Sequence, residues 1–341
     1  MTIRLSTIDD LVTALPYLVG FEPESSAVLV CVQGGVCGDI LRVDLPRSTR
    51  DNKGWLDIAE RATTRRARDQ VLLAAFTDDP ARARVLGPLE RRLRAAGVDV
   101  PHVVVVGATS YRHLSCAGSS CCPLSGRPRA GGASLASSIA AEFVVQGCAP
   151  VPTRGALEAT LAPDLGARAR VEAAADAGPL GFEVMRWCQV ARTSQVWEPT
   201  DLDRWRLGLS LLDRNWRDAL IDAFAPDCYL GPDALPGRHA AAIGEVRQAL
   251  RAGDVGQWRA QQVLISRLTD LARQVPAELA AGTYTVLAMT ALASGQGALA
   301  NIALDQASTA DPDYVLASMA ARMLAHGVAP VPPRMERADV R

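Results

Sequence analysis

No stretch of this chain approaches the roughly 18 to 20 consecutive apolar residues that a membrane span needs. Neither sign of charge prevails: 36 basic residues stand against 37 acidic ones, for a net charge of -1. The first absence argues against a helical membrane anchor, and the second removes any global attraction to nucleic acid or an anionic bilayer. Lysine is nearly missing, since Lys53 is the single one and every other basic side chain is arginine. With abundant Ala and Val this reads as the bias of a GC-rich genome, although each Arg remains a fork for carboxylate or phosphate. No phosphate-binding Walker loop, dinucleotide fingerprint, HExxH pair or EF-hand loop is present, so those classes have no motif to stand on. Met1 to Phe21 carries one Arg and then Asp9 and Asp10 inside its apolar stretch, the wrong order for a secretory signal, and the expected location is cytoplasmic.

What is present is a core. Of the 341 residues 49% are apolar and 21% charged, enough for about two domains without disulfides or metals as staples. Ser6 with Asp9 has the form of a capping box, and Ile8, Leu11, Val12, Leu15 and Val19 follow at helical spacing as far as Gly20. Residues 27–32 and 39–45 read as a β-hairpin around Gly34-Gly35. A helix over 55–68, a buried strand over 71–76, a helix over 80–96 and a buried strand over 100–106 then give a crossover and a parallel pair. The expected N-terminal domain, 1–150, is therefore α/β, a mixed sheet with a hairpin and parallel βαβ strands and helices packed on it.

From about Pro150 strand-like runs disappear. Helical periodicity is expected over 154–176, 181–194, 200–225, 238–251, 254–274, 276–294, 296–309 and 313–326, so residues 151–327 form an all-helical domain and 328–341 a Pro- and Arg-rich tail. Tyr284, Leu287, Ala288, Ala291, Ala300, Leu304, Ala307 and Pro312 have the spacing of a tetratricopeptide-like hairpin over 284–312, without a second clear copy. An antiparallel helix pair inside a bundle is the plainer reading of the same residues.

Between Asp99 and Glu142 there is no acidic residue, while Arg112, Arg127 and Arg129 fall in the interval, which includes a Cys-, Ser-, Gly- and Pro-rich loop over 107–132. His113, Cys116, Cys121 and Cys122 are the candidate chemical cluster, following a buried strand at what would be its ligand-binding end. Three readings stay open: a zinc site, a reactive thiol with His113 as its base, or small apolar packers closing the loop. The other cysteines, Cys31, Cys37, Cys148, Cys188 and Cys228, read as buried small residues, and His102, His239 and His326 as isolated.

Two further features draw attention. From Arg47 to Arg94 there are twelve basic and seven acidic residues, including Arg65, Arg66, Arg68, Arg91, Arg92 and Arg94, a face that could meet phosphate or that could be ordinary solvated surface. The segment from Gly20 to Ser26 joins the first helix to the first strand and reads as a structural turn, because it lacks the strand-to-helix elbow of a hydrolase.

The run Pro16-Tyr17-Leu18-Val19-Gly20-Phe21, then Pro23 and Ser26, then Leu41 to Pro46, Cys121-Cys122-Pro123 with Gly126, Ala298-Asn301-Ala303-Leu304 and Asp311 to Tyr314 resembles an actinobacterial family classed as a domain of unknown function, number 4192. The resemblance spans nearly the whole chain and implies no activity, substrate or cofactor. Leu124-Ser125 stands where the family pattern has a proline and an acidic residue, so no carboxylate role is expected there.

The functional expectation is an interaction or regulatory protein that binds a protein partner through its helical domain. The alternatives are a metal- or thiol-dependent enzyme or zinc-stabilised module on the His113, Cys116, Cys121 and Cys122 loop, and a nucleic-acid binder through the Arg-rich face.

Overall fold

The computed structural model describes residues 7–33, 36–64, 69–114, 123, 125–129, 138–176, 178–226, 237–252 and 257–325. Contacts divide the chain into two units that meet between Ala156 and Leu157.

In the first unit, helix α1 (Ile8–Val19) starts one residue later than the sequence pattern suggests. The Thr7 hydroxyl accepts from the Asp10 backbone N–H at 3.1 Å, and the Thr7 N–H donates to the Asp10 carboxylate at 3.0 Å. Ser6-Asp9 and Thr7-Asp10 both have the i, i+3 spacing of a capping box, and helix phase decides between them. Gly20, at φ 91°, closes the helix in the left-handed region, its N–H donating to the Pro16 carbonyl.

Strands β1 (Ser26–Gln33) and β2 (Val36–Asp44) form the antiparallel hairpin. Helix α2 (Asn52–Thr64) leads to β3 (Gln70–Phe76), which lies antiparallel to β1. Two short helices, α3 (Pro80–Ala83) and α4 (Leu86–Ala95), replace the single one expected, and lead to β4 (Val103–Val106), parallel to β3. The chain then reverses into β5 (Ser110–His113) and returns in β6 (Arg127–Pro128), giving the order β2-β1-β3-β4-β5-β6. Helix α5 (Ser138–Val145) completes the unit.

Strand alternation sorts the side chains into two layers. Ala27, Leu29, Leu73, Ala75, Val103 and Val105 face one way and pack with Leu56 and Ala59 of α2 and Leu86, Leu89 and Leu93 of α4. Burying each such Leu contributes about 1.5–3 kcal/mol. Residues of the opposite parity, such as Phe76, Val106 and Tyr111, lie on the face of α1, where the Tyr111 hydroxyl bonds to Asp9; Tyr17 of α1 stacks on Phe143 of α5 at 5.1 Å.

The second unit is helical. Helix α6 (Arg154–Leu161) crosses the boundary and is followed by α7 (Leu165–Ala173), α8 (Val184–Ala191), α9 (Asp201–Ser210), α10 (Arg214–Phe224), α11 (Gly237–Arg251), α12 (Gln257–Gln274), α13 (Ala277–Ala293), α14 (Gly297–Ala310) and α15 (Val315–Ala325). Two expected long helices are each split in two. Pro163 interrupts 154–176, and Asp164 recaps the chain by accepting from Ala167 N–H; Asp213 does the same for Trp216 N–H inside 200–225.

Residues Leu279 to Ala293 of α13 are all buried, so this helix runs through the middle of the unit with apolar and small residues on every side. It packs with α14 as a helical hairpin linked by Ser294, Gly295 and Gln296, and Ala288, Ala291 and Ala300 are fully buried where small side chains permit close approach. No described helix is long and apolar enough to cross a membrane.

Candidate functional site

Register decides which residues share an edge of the sheet. Ser26 of β1 partners Phe76 of β3, and Phe76 partners Val106 of β4. The loop from Gly20 to Ser25, the turn after Phe76 and the turn after Val106 therefore gather at the carboxyl end of the parallel pair, the edge at which α/β sheets take ligands.

Side chains knit this edge together. Arg129, just beyond β6, pairs with Glu22, lies over the Phe76 ring at 5.5 Å and donates to the Gly107 carbonyl at 3.4 Å. Arg82 donates to the Ser25 hydroxyl at 2.8 Å and to the Leu45 carbonyl at 3.0 Å. Asp78 accepts from Ala108 N–H at 2.9 Å. Ser25 itself sits at φ 47°, a left-handed conformation that costs a non-glycine residue about 1–2 kcal/mol. Its hydroxyl partner is a guanidinium and not a base, so nothing here prepares it as a nucleophile.

Beside this network lies a cleft of about 230 Å³ lined by Phe21, Glu22, Glu24, Arg42, Thr153, Arg154 and Gly155. It forms because Phe21 bridges to Val151: Glu22 N–H donates to the Val151 carbonyl, and Val151 N–H to that of Gly20, both at 3.1 Å. The Arg42 guanidinium lies 5.3 Å from the Phe21 ring and pairs with Asp44 at 2.5 Å. Its Nε is buried and has no acceptor among the described residues.

The residues singled out by sequence fall elsewhere. Cys116, Cys121 and Cys122 lie outside the described residues. His113 is described, and it is not at the ligand edge expected for it. The chain reverses after Val106, so β5 carries His113 back to register with Val104, toward the amino end of β4. There it meets His102: the His102 Nδ1 and His113 Nε2 atoms are 3.4 Å apart and the rings nearly perpendicular at 88°. Burial first, and then the neighbouring His113, lower the His102 pKa, while Asp99 pulls the other way. His102 had no sequence neighbour to suggest this. The signal was the hairpin itself, since pairing Val104 with His113 makes His102 its diagonal neighbour on the same face.

The positive character of the 107–132 interval also changes in space. Arg129 is matched by Glu22, and Arg127 lies 3.8 Å from Asp9, so acids distant in sequence supply what the interval lacks. On the arginine-rich face, Arg92 pairs with Asp57 at 2.7 Å and Glu60 at 3.1 Å, and Arg94 with Glu90 at 3.0 Å; Arg65, Arg66 and Arg68 lie outside the described residues. Cys31, Cys148 and Cys188 are buried, and burial raises the Cys188 pKa, the behaviour of a packing residue. Cys37 and Cys228 have no described side chain. Among the described residues no three His, Cys, Asp or Glu side chains converge as a metal-holding group.

A family model described as a domain of unknown function (DUF4192) matches residues 9–331. The chain belongs to this family. No curated protein and no solved structure matches it. The DUF4192 match takes in both units, so the carboxyl-edge cleft and the histidine pair both lie inside the family's domain.

Proposed function

We propose that this DUF4192 protein is a ligand-binding interaction protein whose α/β unit takes a small zwitterion in the cleft beside Phe21. The observation that carries this reading is the lining of the cleft, which sets the guanidinium-bearing Arg42 and Arg154 beside the carboxyl-bearing Glu22 and Glu24 around the Phe21 ring. A guanidinium in such a wall recognises a carboxylate through its N–H fork. That mixture disfavours a multiply charged anion and favours a ligand with one negative and one positive group, such as a free amino acid.

Thermal-shift and calorimetric titrations of the full chain test it with three matched probes: an amino acid panel, the corresponding amides and the N-acetylated acids. The expected result is binding of the zwitterions alone, lost in Arg42→Gln. Equal behaviour of all three classes, or an Arg42→Gln variant that binds as the parent does, overturns the reading.

A protein partner for the helical unit is the second part of the reading. Leu165, Leu180, Met185, Val196, Leu212, Val315 and Met319 are large apolar side chains exposed there, and Val315 and Met319 stand one turn apart on α15. That spacing suits the apolar stripe of a partner's amphipathic helix. A photocrosslinker placed at Val315 of the full chain should give one discrete adduct with another protein, located within an amphipathic helix. Placed at Ile58, it should give none; equal labelling from both positions counts against the reading.

A further inference from the structure

The opposite edge of the same sheet carries a separate feature, independent of the cleft. We propose that His102 and His113 form a two-imidazole seat for a zinc-class divalent ion. Two nitrogens bound to one tetrahedral ion at about 2.0–2.1 Å stand roughly 3.3–3.4 Å apart. The His102 Nδ1 and His113 Nε2 atoms are 3.4 Å apart. An ordinary hydrogen bond from a ring N–H would bring the two nitrogens closer, to about 2.7–3.2 Å. The observed spacing matches that of a chelate and lies at the long end of hydrogen bonding, so in the metal-free protein one ring N–H donates to the other ring.

The sheet fixes this spacing. The His102 carbonyl accepts from Leu73 N–H of β3 at 3.0 Å, immediately before β4 begins. His113 is in register with Val104, and the next residue, Leu114, donates to the Val103 carbonyl at 2.7 Å. Both backbones are thus held by strand hydrogen bonds, so neither imidazole depends on a loop for its position, and little ordering remains to oppose binding. Both side chains are half-buried, which leaves the pair reachable by an ion.

Chemistry selects the ion class. Imidazole suits zinc, copper, nickel and cobalt, whereas calcium and magnesium want oxygen donors. The nearest acid in sequence, Asp99, accepts from the Gln70 side chain at 3.1 Å, and no third donor joins the pair among the described residues. Two positions of a four-coordinate ion are therefore supplied here, and the others fall to water or to donors elsewhere in the chain.

The test uses full-length protein prepared without a polyhistidine tag and stripped with a chelator. Zinc is titrated in competition with a chromophoric chelator, and cobalt(II) is used in parallel for its d–d spectrum. The expected result is one equivalent bound, with His102→Gln and His113→Gln each weakening binding by at least about tenfold. The cobalt spectrum should be that of a four-coordinate ion in the parent and be lost in both variants. Should a variant fail to fold, zinc protection of His102 and His113 from diethyl pyrocarbonate in the parent, mapped by mass spectrometry, gives the same answer. Absence of binding, or binding that survives both histidine substitutions and disappears only when Cys116, Cys121 and Cys122 are changed to Ser, overturns the proposal.

Discussion

Arg129 lies with its guanidinium carbon 5.5 Å from the centre of the Phe76 ring while pairing with the Glu22 carboxylate. One side chain thereby joins the end of β3, the loop after α1 and the chain leaving β6. The Arg129 side chain is 8% exposed and that of Glu22 24%, so the pair is neither a solvated surface bridge nor a fully dry one. Its contribution should fall between those limits.

Glu22→Gln and Arg129→Met are each expected to destabilise the α/β unit by about 1.5–3 kcal/mol, because each leaves one partner's charge half-desolvated. The double variant should cost less than the sum of the two. Urea unfolding read by amide exchange in β1 and β4 measures the cycle; strict additivity would show that the two charges do not interact.

The contrast between Arg129 and the two histidines shows what was legible in the chain. Local rules carried well: Gly20 ends α1, the apolar run around Leu73 is a buried strand, and the strand-helix-strand rhythm gives the parallel β3 and β4 pair. The family pattern was also readable, because its motifs recur in order along nearly the whole chain. What the sequence hid was sheet closure. Ser110 to His113 make a four-residue strand with three charged or polar members, and it pairs only because Val104 to Val106 offer a free edge. Missing that reversal put His113 at the wrong end of the sheet and left His102 without a neighbour. The same long-range pairing placed Glu22 against Arg129, 107 residues away, so an interval that is acid-free in sequence is not acid-free in space.

In the helical unit, Arg267 has no carboxylate partner among the described residues. Its guanidinium donates to the carbonyls of Gln189, Val190 and Arg192 at 3.0, 2.9 and 3.1 Å, and also to that of Gln195, closing the carboxyl end of α8. Unpaired carbonyls and the helix dipole both favour a cation there, while burial lowers the Arg267 pKa. Arg267→Met should cost about 2–4 kcal/mol, since one buried and three partly buried acceptors lose their donor together. Arg267→Lys should recover less than half, because one ammonium cannot span four carbonyls. Thermal unfolding of the three proteins at one pH checks the order; a lysine variant as stable as the parent would show that charge alone suffices.

Acid should weaken the helical unit as carboxylates that its hydrogen bonds hold ionised become protonated. Burial raises the Asp203 pKa, but hydrogen bonds from Thr200 and Arg186 outweigh it, and the net shift is downward. At Asp213 burial is likewise outweighed, by Trp216 N–H and by His239, whose Nε2 is 3.4 Å away. A carboxyl group with a lowered folded-state pKa adds stability that is complete above its ordinary value of about 4 and is lost as pH falls through the lowered value. The melting temperature followed by tryptophan fluorescence should therefore hold from pH 7 to about 5 and drop below about 4. Asp213→Asn keeps a capping side chain and removes the charge, so it should be less stable at neutral pH and show a shallower acid decline. An unchanged acid profile in that variant would assign the decline to other groups.

Glycine at position 126 supports the carboxyl edge from a distance. Gly126 sits at φ 76°, and a Cβ added there would lie 2.9 Å from the Tyr111 carbonyl oxygen and 3.0 Å from the Ser110 hydroxyl. Gly97, at φ 83°, has nothing within 4 Å of the same added atom. Ala at 97 therefore meets the backbone penalty alone, about 1 kcal/mol, whereas Ala at 126 must also push β6 off β5 and should cost about twice that or more. Because Arg129 follows β6 by a single residue, the displacement should reach the Glu22 pair. Gly126→Ala is accordingly expected to speed amide exchange in the loop from Phe21 to Ser25, and Gly97→Ala to leave it unchanged. Equal exchange in both variants would mean that β6 does not hold Arg129 in place, and the stability of that edge would then have to come from Arg82 and its bonds to Ser25 and Leu45.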